Sequence, residues 1–284
     1  MEKYELCVND ITSPIKIRDY MKNHIGFSTS LIARVKFGGV YLNGEEVHMR
    51  AIVSPGDKIC ILYPEEDSEN IKPINIPLDI VYEDEYILAV NKPTNMPVHP
   101  SKGNSLPTLA NAVRAYLDRP FVFRAVNRLD RDTSGIVLIA KDPLTGAKLC
   151  RSIKNGGLGK KYIAIVKGVP TSKSGVINAP IERLSEGNIK RVVRTDGKES
   201  ITEYKVLSTT VDGNSICEII PITGRTHQIR VHMAHIGHPL INDFLYGERD
   251  NRTFSLCISI VLLSVTNNWN MNGWRRTMKK RQRI

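Results

Sequence analysis

Apolar positions at helical spacing open the chain: Ile17, Tyr20, Met21 and Ile25, with Gly26 closing the run. Ser13-Pro14 supplies a start signal for that helix, and a second helix is predicted over 30–37, stopped by Gly38-Gly39. VYLNGEEV then carries an Asn43-Gly44 hairpin signal, and Pro55-Gly56-Asp57 leads into the alternating strand KICILY. Residues 1–63 thus read as a small unit of two helices and a few strands, and PEEDSENIKPINIP (64–77) as a linker. From Leu78 the pattern is mostly short and β-like. IVYEDEYILAVNKP gives two strands and a proline-punctuated loop follows; FRAVNRLD and IVLIAK then flank a polar turn. Asp142-Pro143 starts a helix running to Lys154, after which KKYIAIVKGV, GVINAPIE, SITEYKVL, ICEIIPI and HQIRVHM read as strands. Many strands with few helices predict an α+β class, with a mixed, largely antiparallel sheet over 78–250.

Composition narrows the class. Hydrophobic content of 41% and charged content of 24% suit a globular protein. The five cysteines are scattered without a C-x-x-C pair, which argues against a disulfide framework or zinc ribbon and fits a reducing compartment. The start, MEKYELCVND, lacks a signal-peptide layout, and the longest apolar stretch, 254–265, is twelve residues with three serines. A bilayer span needs about 20. The expectation is a cytoplasmic protein without a membrane partner. The net charge of +11 invites a nucleic-acid reading, but seven of those units come from residues 251–284, which contain no acid.

Two dense regions could carry chemistry. In VNRLDRDTSGIVLIAK, Asp130 and Asp132 would lie about 6.5 Å apart on one face of a strand, a two-carboxylate arrangement seen in glycosidases. Asp132-Thr133-Ser134-Gly135 is equally a turn composition, with Asp132 accepting local backbone N–H groups, so Asp130 is the carboxylate left to explain. In TGRTHQIRVHMAHIGHP, His227, His232, His235 and His238 fall within twelve residues, but their spacings of five, three and three match no zinc motif. Satisfied backbone or phosphate contact is the better reading of these histidines, and no metal is expected. Read as a strand from Gln228, this segment puts Gln228, Arg230 and His232 on one face. Arg230, between apolar neighbours, calls for a carboxylate: Asp130, Glu218 or Asp243. Tyr162, behind Lys160 and Lys161, is either core or a stacking surface for a base whose phosphate the lysines meet.

Taken together, ILAVNKPTNMPVHPS, NRLDRDTSGIVLIAK, KKYIAIVKG and TGRTHQIRVHMAHIGHPL, followed by LYG, resemble the motifs of the RluA/RluD-type RNA pseudouridine synthases, in order, over about 80–247. Residues 1–63 resemble an S4-type RNA-binding domain, in which Lys16, Arg18, Lys22, Arg34 and Lys36 would meet phosphate, although its eight basic and seven acidic residues nearly cancel. The resemblance implies that Asp130 is the essential carboxylate, that Tyr162 stacks on the uracil and helps deprotonate C5, and that Arg230 pairs with the aspartate. Arg128 would fill the space left by a flipped base or hold a phosphate, and Arg225 and His227 are further candidates for RNA contact. The implied reaction needs no cofactor. The implied partner is RNA, ribosomal RNA of the large subunit first and transfer RNA second, acted on by a monomer.

Two positions depart from the family pattern. Asn127 stands where histidine is more usual, and the likeness stops at about Tyr246. Residues 251–284 form an atypical basic tail: either an aberrant terminus, as a shifted reading frame would give, or a divergent extension that adds RNA affinity. An aberrant end would remove closing strands of the core and expose FSLCISIVLL, which leaves a non-catalytic RNA-binding protein as the alternative function.

Overall fold

The computed structural model describes residues 2–63, 70–100, 107–118, 121–247 and 257–262. The chain divides into two compact units: residues 1–132 with 136–151, and residues 133–135 with 152–284.

In the first unit, β1 (Glu2–Cys7) pairs antiparallel with β6 (Lys58–Tyr63), which pairs on its other side with β3 (Val40–Leu42), and β3 with β4 (Glu45–Glu46). The expected Asn43-Gly44 turn joins β3 to β4 with positive φ at both residues, 53° and 94°. The first helix begins later than the Ser13-Pro14 signal suggests. Ile15–Lys16 form β2 against β5 (Ile52–Val53), and α1 (Ile17–Tyr20) starts only beyond that pairing, continuing as a π-helical turn over Met21–Ile25. Here strand pairing outweighs a local cap. α2 (Thr29–Val35) is capped by Ser28, whose hydroxyl accepts from Leu31 N. Ile17, Met21, Phe27, Val35, Val40 and Ile61 close a core, which is completed by Leu144 from α4 (Pro143–Lys154), far along the chain.

The same unit continues with β7 (Ile80–Glu83), β8 (Ile87–Lys92), β9 (Arg124–Ala125) and the greater part of β10 (Ser134–Ala140), in the order β7-β8-β10 with β9 paired to β10. Beyond the proline-punctuated loop that follows β8 lies an unforeseen helix, α3 (Leu109–Leu117), whose start is a capping box: Thr108 Oγ1 accepts from Asn111 N, and Asn111 Oδ1 from Thr108 N. Asn111 Nδ2 also donates to Lys72 O, which fixes the second half of the linker; the rest, 64–69, lies outside the described residues.

The second unit holds β11 (Gly159–Val166), β12 (Ser174–Asn178), the short pair β13 (Ile181–Arg183) and β14 (Arg191–Val193), then β15 (Ile201–Thr209) and β16 (Ser215–Pro221). Strands lie in the order β12-β15-β16-β11, all antiparallel. One face of the sheet carries Tyr162, Ala164, Val166, Cys217 and Ile219, all buried, as a period of two requires. α5 (Gln228–His235) packs against β14, β15 and β16. The strand expected for HQIRVHM is therefore a helix. Its alternating polar residues misled because Gln228 and His232 are buried and satisfied, so polarity there does not mark a solvent face.

Beyond Gly247 only Cys257–Leu262 is described. It forms β17, antiparallel to β11 and parallel to Ser134–Gly135 of β10, so that Ser259 is in register with both Tyr162 and Gly135. The two readings of the terminus stay open, since the remainder of 251–284 lies outside the described residues. The class is α+β with mainly antiparallel sheets, as expected.

Leu144 is 5% exposed within the N-terminal core. Leu144→Ala is expected to cost about 2–4 kcal/mol in denaturant unfolding; a loss below about 0.5 kcal/mol would mean that α4 contributes nothing to that core.

Candidate active site

The polar turn Asn127–Asp132 is held from below and above by contacts within the first unit. Below lies Lys92, fully buried at the end of β8. An ammonium has three donors. Here they meet three carbonyls: Pro93 O at 2.7 Å, Met96 O at 2.8 Å and Arg131 O at 3.1 Å. Met96 N also donates to Arg131 O, so the β8 loop and the turn are tied at one point. Above, Asn127 Nδ2 donates to Ile136 O and its Oδ1 accepts from Leu138 N, so asparagine holds the turn to β10 through both ends of its amide.

Between these anchors Leu129 points inward, Asp130 is half-buried and Arg128 is exposed. Asp132 does not take local backbone N–H groups. Its carboxylate is bound by the guanidinium of its neighbour Arg131, at 2.9 and 3.0 Å. The chain then leaves through Gly135 at φ 121°, a conformation that L side chains rarely adopt.

Burial pushes the Lys92 ammonium down to about 8, against the pull of the nearby Asp132 and Asp130 charges, which favour its protonated form. Lys92 is the anchoring residue that the sequence reading missed. A lysine closing an apolar strand just before proline, in ILAVNKP, was the available signal. His99, also on this side, packs edge-on against Phe123, and burial followed by the Arg128 charge lowers its pKa.

The second unit carries Tyr162 on β11, 8% exposed on the buried face. Lys161, on the opposite face, is bound to Glu218 at 2.7 Å. Lys160 is half-buried, with Gly224 of the TGRT loop beside its ammonium, and burial lowers its pKa. Gln228 organises that loop. Its Oε1 accepts from Thr223 Oγ1 and Arg225 N, while its Nε2 donates to Ile201 O and Thr202 Oγ1. Arg225 Nε donates to Glu199 O. His227 starts α5 at φ 57° with Nδ1 2.8 Å from the Tyr246 hydroxyl, which also accepts from Arg191 N.

Arg230 is held by Asp243, one of the three partners expected for it. Nε meets Oδ2 at 2.7 Å and Nη2 meets Oδ1 at 2.6 Å, a bidentate pair in which Asp243 is 2% exposed at its side chain. Asp243 Oδ1 also accepts from Leu245 N and Tyr246 N, and the Tyr246 ring centroid lies 5.0 Å from the guanidinium carbon. The histidines diverge. His232 is buried between Thr202 Oγ1 and Ala179 O, and His238 meets Lys167 O, so both serve the backbone as the plainer reading had it. Asp130 lies in the first unit, and Tyr162 and Arg230 in the second.

A model of the RNA pseudouridylate synthase family matches residues 86–235, which include the Asn127–Asp132 turn, Tyr162 and Arg230. The chain belongs to that family. Over 237 residues it is 38% identical to an uncharacterized RNA pseudouridine synthase of Bacillus subtilis, YjbO, covering 81% of this chain and 83% of that one. It is 39% identical over 214 residues to the ribosomal large subunit pseudouridine synthase D of Pasteurella multocida, covering 74% and 65%. Among solved structures, human RNA pseudouridylate synthase domain containing 1 matches with a TM-score of 0.56 at 29% identity, over 65% of this chain and 77% of that one. The synthase is an isomerase that converts uridine to pseudouridine, and RNA is its substrate. The family match ends before Asp243 and Tyr246, so the partners that brace Arg230 come from residues beyond it.

Two predictions follow from these anchors. Below pH 8 Lys92 is protonated in the folded and unfolded chain alike, and the folded state bears the cost of a buried charge. From about 8 toward 10.5 the folded protein gives up this proton first, so the Lys92 contribution to stability improves with pH while the clasp loses a donor. Single-turnover rates are therefore expected to fall above pH 8 without unfolding. Lys92→Met should be slower throughout and lack that component of the alkaline limb; an unchanged pH profile in the variant would remove Lys92 from the account. Separately, Asp243→Ala removes the bidentate partner of Arg230 and should cost about 1.5–3 kcal/mol in chemical unfolding. The double variant Asp243→Leu, Arg230→Met should cost less than Asp243→Ala alone.

Proposed function

We propose that the uridine isomerised by this synthase lies in large-subunit ribosomal RNA and that Asp130 is the carboxylate that acts on it. The observation that carries the assignment of Asp130 is the Lys92 clasp: Arg131 O, one residue beyond Asp130, is fixed by a buried ammonium, which keeps the half-buried carboxylate on an anchored turn. The RNA class is supported by relatives named ribosomal large subunit pseudouridine synthase D in Pasteurella multocida and in Xylella fastidiosa, 39% and 37% identical.

In the reaction the N1–C1′ bond breaks, the uracil turns, and C5 bonds to C1′. C5 gives up its proton and N1 gains one, so no atom of the base is lost and no electrons leave. Asp130 acts as an ionised carboxylate under the ribose, by attack at C1′ or by removal of the 2′ hydrogen. Tyr162 stacks on the uracil and helps take the C5 proton, and Arg230, braced by Asp243, answers the charge of the aspartate. Arg128, exposed on the same turn as Asp130, takes the space of the extruded base or a neighbouring phosphate. The N-terminal residues act as an S4-like RNA-binding module, with Lys16, Arg18, Lys22, Arg34 and Lys36 all exposed on its surface.

The test uses large-subunit ribosomal RNA and transfer RNA transcribed with uridine tritiated at C5. The wild type is expected to release tritium from the ribosomal transcript, and Asp130→Asn to lose release by about a thousandfold or more while binding the RNA. Equal release by the variant would remove Asp130 from the chemistry. Release from transfer RNA alone would overturn the substrate class.

A further inference from the structure

The seam between the N-terminal residues and α4 gathers more cations than acids, with Asp142 the acid whose charge acts on Lys148. Three contacts within the first unit build this seam. Leu144 enters the N-terminal core. Arg151 Nη2 donates to Lys22 O at 2.7 Å. The Lys148 stem lies against Gly26, where an added Cβ would come within 3.1 Å of Lys148 Cγ, and its ammonium stands 5.8 Å from the Tyr4 ring. Gly26 takes φ 99° to end the π-helical turn that carries Lys22.

The charges at this seam are unbalanced. Among the described residues Lys22, Lys148 and Arg151 make no ion pair. Asp10 is occupied by Tyr20 and His24, Asp142 acts on Lys148 while its Oδ1 accepts from Thr145 N, and Asp19 is exposed one turn before Lys22, so three cations face few free carboxylates. A guanidinium tied to the backbone of a lysine, with a second lysine alongside, holds like charges together. An anion between them relieves that repulsion.

We propose that this seam is a seat for RNA phosphate, formed by Lys22, Lys148 and Arg151, so that one stretch of RNA backbone is gripped by the N-terminal module and by the catalytic domain's own helix at once. This rests on the RNA substrate of the proposed function and adds α4 to the surface that binds it. The grip fixes where RNA enters without reading its sequence, because phosphate contacts position and base contacts specify.

The test is fluorescence anisotropy with a labelled stem-loop transcript, measured across a salt series. Each neutralised phosphate contributes about one unit to the slope of log affinity against log salt. Lys22→Gln and Arg151→Gln should each lower that slope by about one unit, weaken binding severalfold at low salt, and do so alike for unrelated sequences. Lys22→Gln leaves its carbonyl in place for Arg151, so its effect reads charge rather than loss of the seam, and Arg151→Lys should keep the slope. Unchanged slopes in both glutamine variants would overturn the proposal. So would unchanged slopes accompanied by loss of polyglutamate binding, which would assign the seam to an acidic protein. Wild-type tritium release reports the proposed function separately: slopes that fall in a protein without release would sustain the seat and sink that function.

Discussion

One buried ammonium fixes the Asn127–Asp132 turn on which the proposed carboxylate stands. Removing a lysine charge from water costs several kcal/mol unless its donors are met, and Lys92 is fully buried. The cost is offset only if the carbonyls of Pro93, Met96 and Arg131 converge on one point. Two loops distant in sequence must then fold together, or the charge is stranded. A turn of polar residues feeding a buried strand, which by composition alone would sample many conformations, is thereby held in one. Asn127 adds a second anchor through β10, and the two leave Asp130 between fixed points.

The same logic recurs in the second unit with other groups. Asp243 is almost fully buried, and it is tolerated because it takes two guanidinium nitrogens of Arg230 and two backbone N–H groups of its own turn. Gln228 spends all its capacity on the TGRT loop and β15, and His232 bridges Thr202 and Ala179. Buried polar groups, each satisfied, position the loops on which Arg225, His227 and Tyr246 stand.

Where local chemistry decides an element, the sequence was a good guide. Asn43-Gly44 is a hairpin because both residues accept positive φ, and Asp142 caps α4 because its Oδ1 reaches Thr145 N three residues on. Asn127, which stands where histidine is more usual, holds the turn through both ends of its amide. Long-range partners were hidden. Arg131 O lies 39 residues from Lys92, and the strand reading of HQIRVHM failed because Thr202, some 30 residues earlier, satisfies His232. The late start of α1 has the same origin in the pairing of Ile15 with Val53. The four ordered motifs pointed to the family, which the comparisons bear out.

The central claim is that Lys92 holds the turn carrying Asp130. Hydrogen–deuterium exchange of the wild type and Lys92→Met, resolved across 124–141, addresses it most directly. The account predicts faster exchange confined to the amides of Asn127–Asp132 in the variant, with Val137–Ala140 of β10 as protected as in the wild type. Equal protection of the turn in both proteins would contradict it and place the anchoring of Asp130 elsewhere.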